Sequence, residues 1–175
     1  MTTESVVPEV HHAWTIYLQA SEEARRRGDR RTGTDHLLLA LLEDPSIEVL
    51  LGASLEQARQ ALQSLDDEAL GALGLGSGTD APPLPMRAVP KKPTIRVVVQ
   101  KDRPRLTPAA KKVLQAAVKP NRRKTQVTAQ QVLAQILTLQ PPDPAAVLLG
   151  ALGVNTSEVR RRLDTATPFN GQSRG

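Results

Sequence analysis

Apolar side chains recur along this chain at three- and four-residue steps, in blocks that are each closed by glycine, proline or a polar turn. From Glu9 to Arg27 the positions Val10, Ala13, Trp14, Tyr17, Leu18, Ala20 and Ala24 trace one face of a helix, which Gly28 stops behind a run of arginines. The turn Asp29–Gly33 leads to Thr34, read as an N-cap, and to a helix over Asp35–Glu43 that ends before Pro45. Leu37, Leu38, Leu39, Leu41 and Leu42 cover most of that helix's circumference, so it should be central and wrapped by its neighbours. A short helix Ile47–Leu51 ends at Gly52. Ser54-Leu55-Glu56-Gln57 then forms a capping box for a helix over Leu55–Leu65, and Asp66–Leu73 either continues it or starts another turn.

The next stretch cannot hold a helix. Gly74–Gly78 precedes Pro82, Pro83, Pro85, Pro90 and Pro93, which reads as a linker or extended connection, and within it the β-branched run Thr94–Gln100 suggests a short extended segment. The helical pattern resumes at Leu106-Thr107-Pro108, with threonine at the N-cap and proline at the first helical position, and continues through Val113, Leu114 and Val118 to Pro120. Thr128-Ala129-Gln130-Gln131 is a second capping box, opening a helix that Pro141-Pro142 breaks. A third helix covers Ala145–Leu152, and Asn155-Thr156-Ser157-Glu158 caps a fourth.

The two series of helices are related. At one constant spacing Thr128 corresponds to Thr34, Val132 to Leu38, Leu133 to Leu39, Ala134 to Ala40 and Ile136 to Leu42. At a somewhat longer constant spacing Leu152-Gly153-Val154-Asn155 corresponds to Leu51-Gly52-Ala53-Ser54, which puts the extra residues around Leu139–Val147. The chain is therefore read as all-α: two tandem, pseudo-twofold four-helix repeats, residues 9–73 and 105–166, that together make one domain. A proline- and glycine-rich linker, residues 74–104, joins them, and a flexible tail, residues 167–175, completes the chain.

Composition narrows the function. The chain has 175 residues, 39% of them hydrophobic, enough for a core, and with only 2% aromatics the apolar content is aliphatic, as in packed helices. Zero cysteines exclude a disulfide framework, a thiolate zinc site and a cysteine nucleophile. No apolar run approaches the roughly 20 residues that span a bilayer, and the start Met1-Thr-Thr-Glu-Ser is unlike a signal peptide, so a cytoplasmic location and no membrane partner are expected. A formal charge of +5 raises nucleic acid as a partner. The basic clusters are scattered, however, and carry no interleaved aromatics to stack on bases, so the alternative of a basic nucleic-acid-associated regulator ranks second. His11 and His12 would face different sides of one helix, and no His-Glu-x-x-His occurs, so neither a metal nor another cofactor is expected. Gly76-Ser77-Gly78 lacks the spacing of a nucleophile elbow, and His36 is read as satisfying a buried hydrogen bond. The expectation is a protein that is not an enzyme.

Four segments together carry a resemblance: Gln19–Arg27 (QASEEARRR), Gly33–Leu42 (GTDHLLLALL), Leu106–Leu114 (LTPAAKKVL) and Leu152–Leu163 (LGVNTSEVRRRL). The chain resembles the amino-terminal substrate-recruitment domain of Clp AAA+ unfoldases, the Clp repeat domain, most closely of the ClpC type. It departs from the family where a second Gly-Thr-Glu-His is Val127-Thr128-Ala129-Gln130 here, where an opening Phe-Thr is Glu9-Val10, and in its longer linker. No Gly-x-x-x-x-Gly-Lys-(Ser/Thr) phosphate loop is present, so the chain is expected to be a free-standing recruitment domain without ATPase modules, or a fragment of a longer chain.

The resemblance implies a non-catalytic peptide- or protein-binding module that acts as adaptor, competitor or decoy in a Clp protease system. Its partners would be Clp ATPase or protease components or their substrates. It also implies a groove near the starts of the first helix of each repeat, where cyclic-peptide antibiotics dock on ClpC-type domains; the corresponding positions are Val10, Trp14, Leu18, Leu106, Thr107 and Lys111. A residual phosphoarginine-type pocket would involve Thr34 and Asp35, while the second copy keeps Thr107 but has Ala129 in place of the acid.

Overall fold

The leucine-dense block Leu37–Leu42 lies at the centre of the molecule, and every residue of it is buried. A computed structural model of the chain describes residues 10–74, 103–118 and 126–166. Most of the expected linker, including Thr94–Gln100, and the tail 167–175 lie outside the described residues.

Eight helices and four very short strands occur among the described residues, in the order β1 (Val10–His12), α1 (Ala13–Arg27), β2 (Arg31–Thr32), α2 (Thr34–Leu41), α3 (Pro45–Leu51), α4 (Leu55–Ala72), β3 (Arg105–Leu106), α5 (Pro108–Val118), β4 (Gln126–Thr128), α6 (Ala129–Ile136), α7 (Pro144–Ala151) and α8 (Thr156–Ala166). The all-α class holds, since the strands amount to two two-stranded ribbons at the helix starts. Helix α2 packs against α1, α4, α5, α6 and α7, so its apolar circumference meets a neighbour on each side. Its leucines join Leu133 and Ile136 of α6 and Leu148 and Leu149 of α7 in one core cluster drawn from both halves of the chain.

Local chemistry sets the helix ends. Asp44 and Asp143 each cap a helix with a proline at its first position, the carboxylates accepting from Ser46 N–H at 2.8 Å and Ala145 N–H at 3.1 Å. Ser54 with Gln57 and Thr128 with Gln131 form reciprocal capping boxes, and Asn155 Oδ1 accepts from the N–H groups of Ser157 and Glu158. Gly52 ends α3 at φ +68, the left-handed conformation that L side chains resist.

Three expectations are corrected. First, α1 begins at Ala13, so Val10, His11 and His12 are not helical; they form β1, antiparallel to β4 with Val10 opposite Thr128. The partner strand lies more than a hundred residues away, and helical periodicity carries no sign of it. Second, the turn after α1 and the entry to α5 contain β2 and β3, which pair in parallel. Third, Gly33 is the N-cap of α2, and Thr34 is its first helical residue. At the end of the expected linker Pro104 is buried, and its carbonyl accepts from Thr32 Oγ1 at 3.0 Å and from Tyr17 Oη at 3.3 Å. Helix α4 runs unbroken past Leu65 to Ala72.

Candidate functional site

Helix α1 leaves Trp14 59% exposed, an unusual state for the only tryptophan of the chain. Tyr17 comes one turn later, the two ring centroids 5.1 Å apart at 49°. Strand β3 brings Arg105 and Leu106 alongside, and α5 adds Leu114, closing a groove of about 760 Å³ whose wall also includes Ala13 and Thr15. The Tyr17 hydroxyl is engaged by the Pro104 carbonyl, so the ring is held in place and presents apolar surface.

A second cavity, of about 580 Å³, has Arg31 of β2 on its wall. Gly33, Asp35 and His36 line it, with Arg27 and Thr107. Thr107 reaches this place because its N–H donates to Thr32 O at 2.9 Å, which continues the parallel ribbon; its hydroxyl caps α5, accepting from Ala110 N–H at 3.2 Å. The Arg27 guanidinium gathers the acids: Nη2 lies 2.6 Å from Asp66, Nε 3.3 Å from Asp29, and Nη1 3.9 Å from Asp35. Nη1 is buried and has no hydrogen-bond partner among the described residues.

Asp35 and His36 form a buried pair. His36 Nε2 is 3.0 Å from Asp29 Oδ2, while Nδ1 lies 3.0 Å from Gly33 N and 3.1 Å from Asp35 Oδ1. Burial pushes the His36 imidazole down, but the hydrogen bond to Asp35 and the charges of Asp35 and Asp29 outweigh it and raise the group above its ordinary value. Burial likewise pushes the Asp35 carboxyl up, and the His36 hydrogen bond, with the His36 and Arg27 charges, holds it below the ordinary value. Asp35 is therefore an ionised acid at the cavity wall.

The structure sorts the residues singled out in the sequence. Trp14 and Leu106 share the groove, and Val10 lies in β1. Leu18 is half-buried and Lys111 exposed, and neither is among the residues that line the groove. Thr107 lines the other cavity together with Asp35, so an acid and a threonine from opposite halves of the chain meet there. Thr34 is withdrawn from it: the side chain is buried, and its hydroxyl donates to Asp143 Oδ1 at 2.6 Å. Tyr17, Arg105 and Leu114 were not singled out. The i to i+3 spacing of two of the chain's three aromatic residues was the available signal for Tyr17, whereas Arg105 is placed by a strand pairing that sequence periodicity does not show.

Among known protein families, the Clp repeat (R) N-terminal domain matches residues 11–140, from β1 to just beyond α6 and well over half of the chain. A search of curated proteins found no match.

Proposed function

Because the chain belongs to the Clp repeat N-terminal domain family, we propose that it is a non-catalytic module that captures peptide segments of partner proteins, serving as adaptor, competitor or decoy for a Clp protease system in the cytoplasm. The observation that carries this reading is the groove around Trp14. An exposed tryptophan beside a fixed tyrosine and an aliphatic wall is the anchor chemistry of peptide interfaces, where a few large aromatics supply most of the affinity. A volume of about 760 Å³ also suits a compact apolar macrocycle, so sequestration of cyclic peptides that target ClpC-type domains is part of the proposal. Asp35, ionised on the wall of the cavity that Thr107 also lines, would receive a cationic side chain such as a guanidinium of the same partner.

Trp14 is its own reporter, since the chain has no other tryptophan. Titration with short peptides rich in leucine and phenylalanine, and with an apolar cyclic peptide, should shift its fluorescence to shorter wavelength in a saturable way. Trp14→Ala should weaken binding, measured by calorimetry, by about tenfold or more. Peptides that leave the emission unchanged and release no heat would remove the proposal.

A further inference from the structure

The parallel ribbon places two like charges side by side. Arg31 stands in register with Arg105, and residues in register on neighbouring strands carry their side chains on the same face, about 5 Å apart. Such a pair repels and weakens the ribbon it sits on. Both side chains are exposed, as is that of Arg30. Among the described residues, ion pairs engage Arg25, Arg26, Arg27, Arg59, Arg161 and Arg162, but none of these three. The strip also lies between the two cavities: Arg105 lines the Trp14 groove, and Arg30 and Arg31 line the cavity at Asp35.

We propose that this arginine strip is the specificity element of the groove, selecting peptide segments in which a bulky apolar residue seated against Trp14 is flanked by acidic side chains that lie over Arg31 and Arg105. The inference rests on the reading of the Trp14 groove as a peptide site. Carboxylates at alternate positions of an extended segment are about 7 Å apart, a spacing that two arginines on adjacent strands can meet with one charge-assisted hydrogen bond each. A nucleic-acid strand fits less well. The uncharged hydrogen-bonding side chains of the groove wall are Thr15, Tyr17, whose hydroxyl donates to the Pro104 carbonyl, and Trp14, whose indole N–H can only donate. The groove thus has little with which to read a base edge, and Trp14 and Tyr17 are tilted to one another instead of forming a flat stacking platform.

The test uses the full chain and three fluorescein-labelled peptides that share a Phe-Leu anchor and differ in the three residues after it: Asp-Gly-Glu, Asn-Gly-Gln or Lys-Gly-Lys. Anisotropy at low salt should rank the acidic peptide about fivefold tighter than the amide peptide, the advantage expected of two exposed, screened ion pairs. In Arg31→Gln/Arg105→Gln the ratio should fall to about one, and in Arg31→Glu/Arg105→Glu the lysine peptide should become the tightest of the three. Both positions are exposed, and thermal melts monitored by circular dichroism confirm that the variants fold. Equal affinity for the acidic and amide peptides in the native chain, or a preference that survives in the double glutamine variant, overturns the strip and leaves the groove standing. Failure of all three peptides to bind overturns both readings, and an oligothymidylate that displaces the acidic peptide at lower concentration than the peptide itself assigns the strip to nucleic acid instead.

Discussion

At the scale of single residues, one turn holds two different jobs. His36 Nδ1 can serve only one neighbour at a time: the neutral ring accepts from the Gly33 N–H, and the imidazolium donates to Asp35. Because the His36 value is raised above 6.5, its stabilisation is complete below that pH and is lost as pH rises through the raised value. Because the Asp35 value is lowered below 3.8, its contribution is complete above that pH and is lost as pH falls through the lowered value. His36→Gln keeps a capping acceptor and removes the charge. The native chain should exceed it in stability by about 1–2 kcal/mol between roughly pH 4 and 6.5, with the gap closing toward alkaline pH, as read from urea unfolding at each pH; a gap that does not vary with pH would contradict this assignment. Glycine at position 33 leaves room for the Asp35 carboxylate, which a Cβ there would force to shift, and its φ of −90 is open to any residue. Thr34 was legible as a helix-start residue but not in its real role, because the partner that claims its hydroxyl, Asp143, is distant in sequence. Thr34→Val should cost about 1.5–3 kcal/mol by removing that hydrogen bond to a charged acceptor, and Thr34→Ser should recover most of it, as measured by chemical denaturation.

At the scale of elements, periodicity and caps located every helix, because burial on one face and the unpaired groups at helix ends leave local marks in sequence. What they missed was pairing between elements. The two ribbons have strands of two or three residues, too short for an alternation of period two to register, and both join segments from opposite halves of the chain. The same limit hid the groove and the cavity, since each is completed by a residue that a ribbon delivers, Leu106 to one and Thr107 to the other. An ion pair between α1 and α4, buried at its acid and partly exposed at its arginine, was equally invisible. Glu23 is 2% exposed on the apolar side of α1, and Arg59 holds its carboxylate with Nη2 at 2.6 Å and Nε at 3.2 Å. Arg59→Ala would leave that charge buried, with only Arg26 nearby at 3.5 Å, and should destabilise the fold by about 2–4 kcal/mol. Replacing both partners, Glu23→Met with Arg59→Met, should return stability to within about 1 kcal/mol of the native chain, because it removes the desolvation penalty carried by the buried Glu23 carboxylate. A double variant as unstable as the single one would mean that the pair contributes more than it costs to bury.

At the scale of the whole molecule, the two four-helix halves share what each would need to stand alone. Strand β1 has its ladder partner in β4, and β2 has its partner in β3, so each half supplies one strand to each ribbon. Helix α2 is covered by α1 and α4 on its own side and by α5, α6 and α7 from the other. Removing the second half would expose leucines of the Leu37–Leu42 block, each worth roughly 1.5–3 kcal/mol of burial, and strand the Thr34 hydroxyl that reaches Asp143. Three or four such leucines equal the whole stability of a typical domain, about 5–15 kcal/mol, so the halves should fold only together. Residues 1–74, produced alone, should therefore show weak helical circular dichroism and a broad, non-cooperative response to urea. Mixing that fragment with residues 103–175 in equal amounts should restore helical signal and a single sigmoidal transition whose midpoint rises with concentration, as expected for association-coupled folding. The groove provides an independent readout, since Trp14 comes from the first fragment and Leu106 and Leu114 from the second, so tryptophan emission should shift only on mixing. A cooperative transition from the first fragment by itself would show instead that the core divides between the halves, and that the ribbons and the Thr34–Asp143 bond join two units already folded.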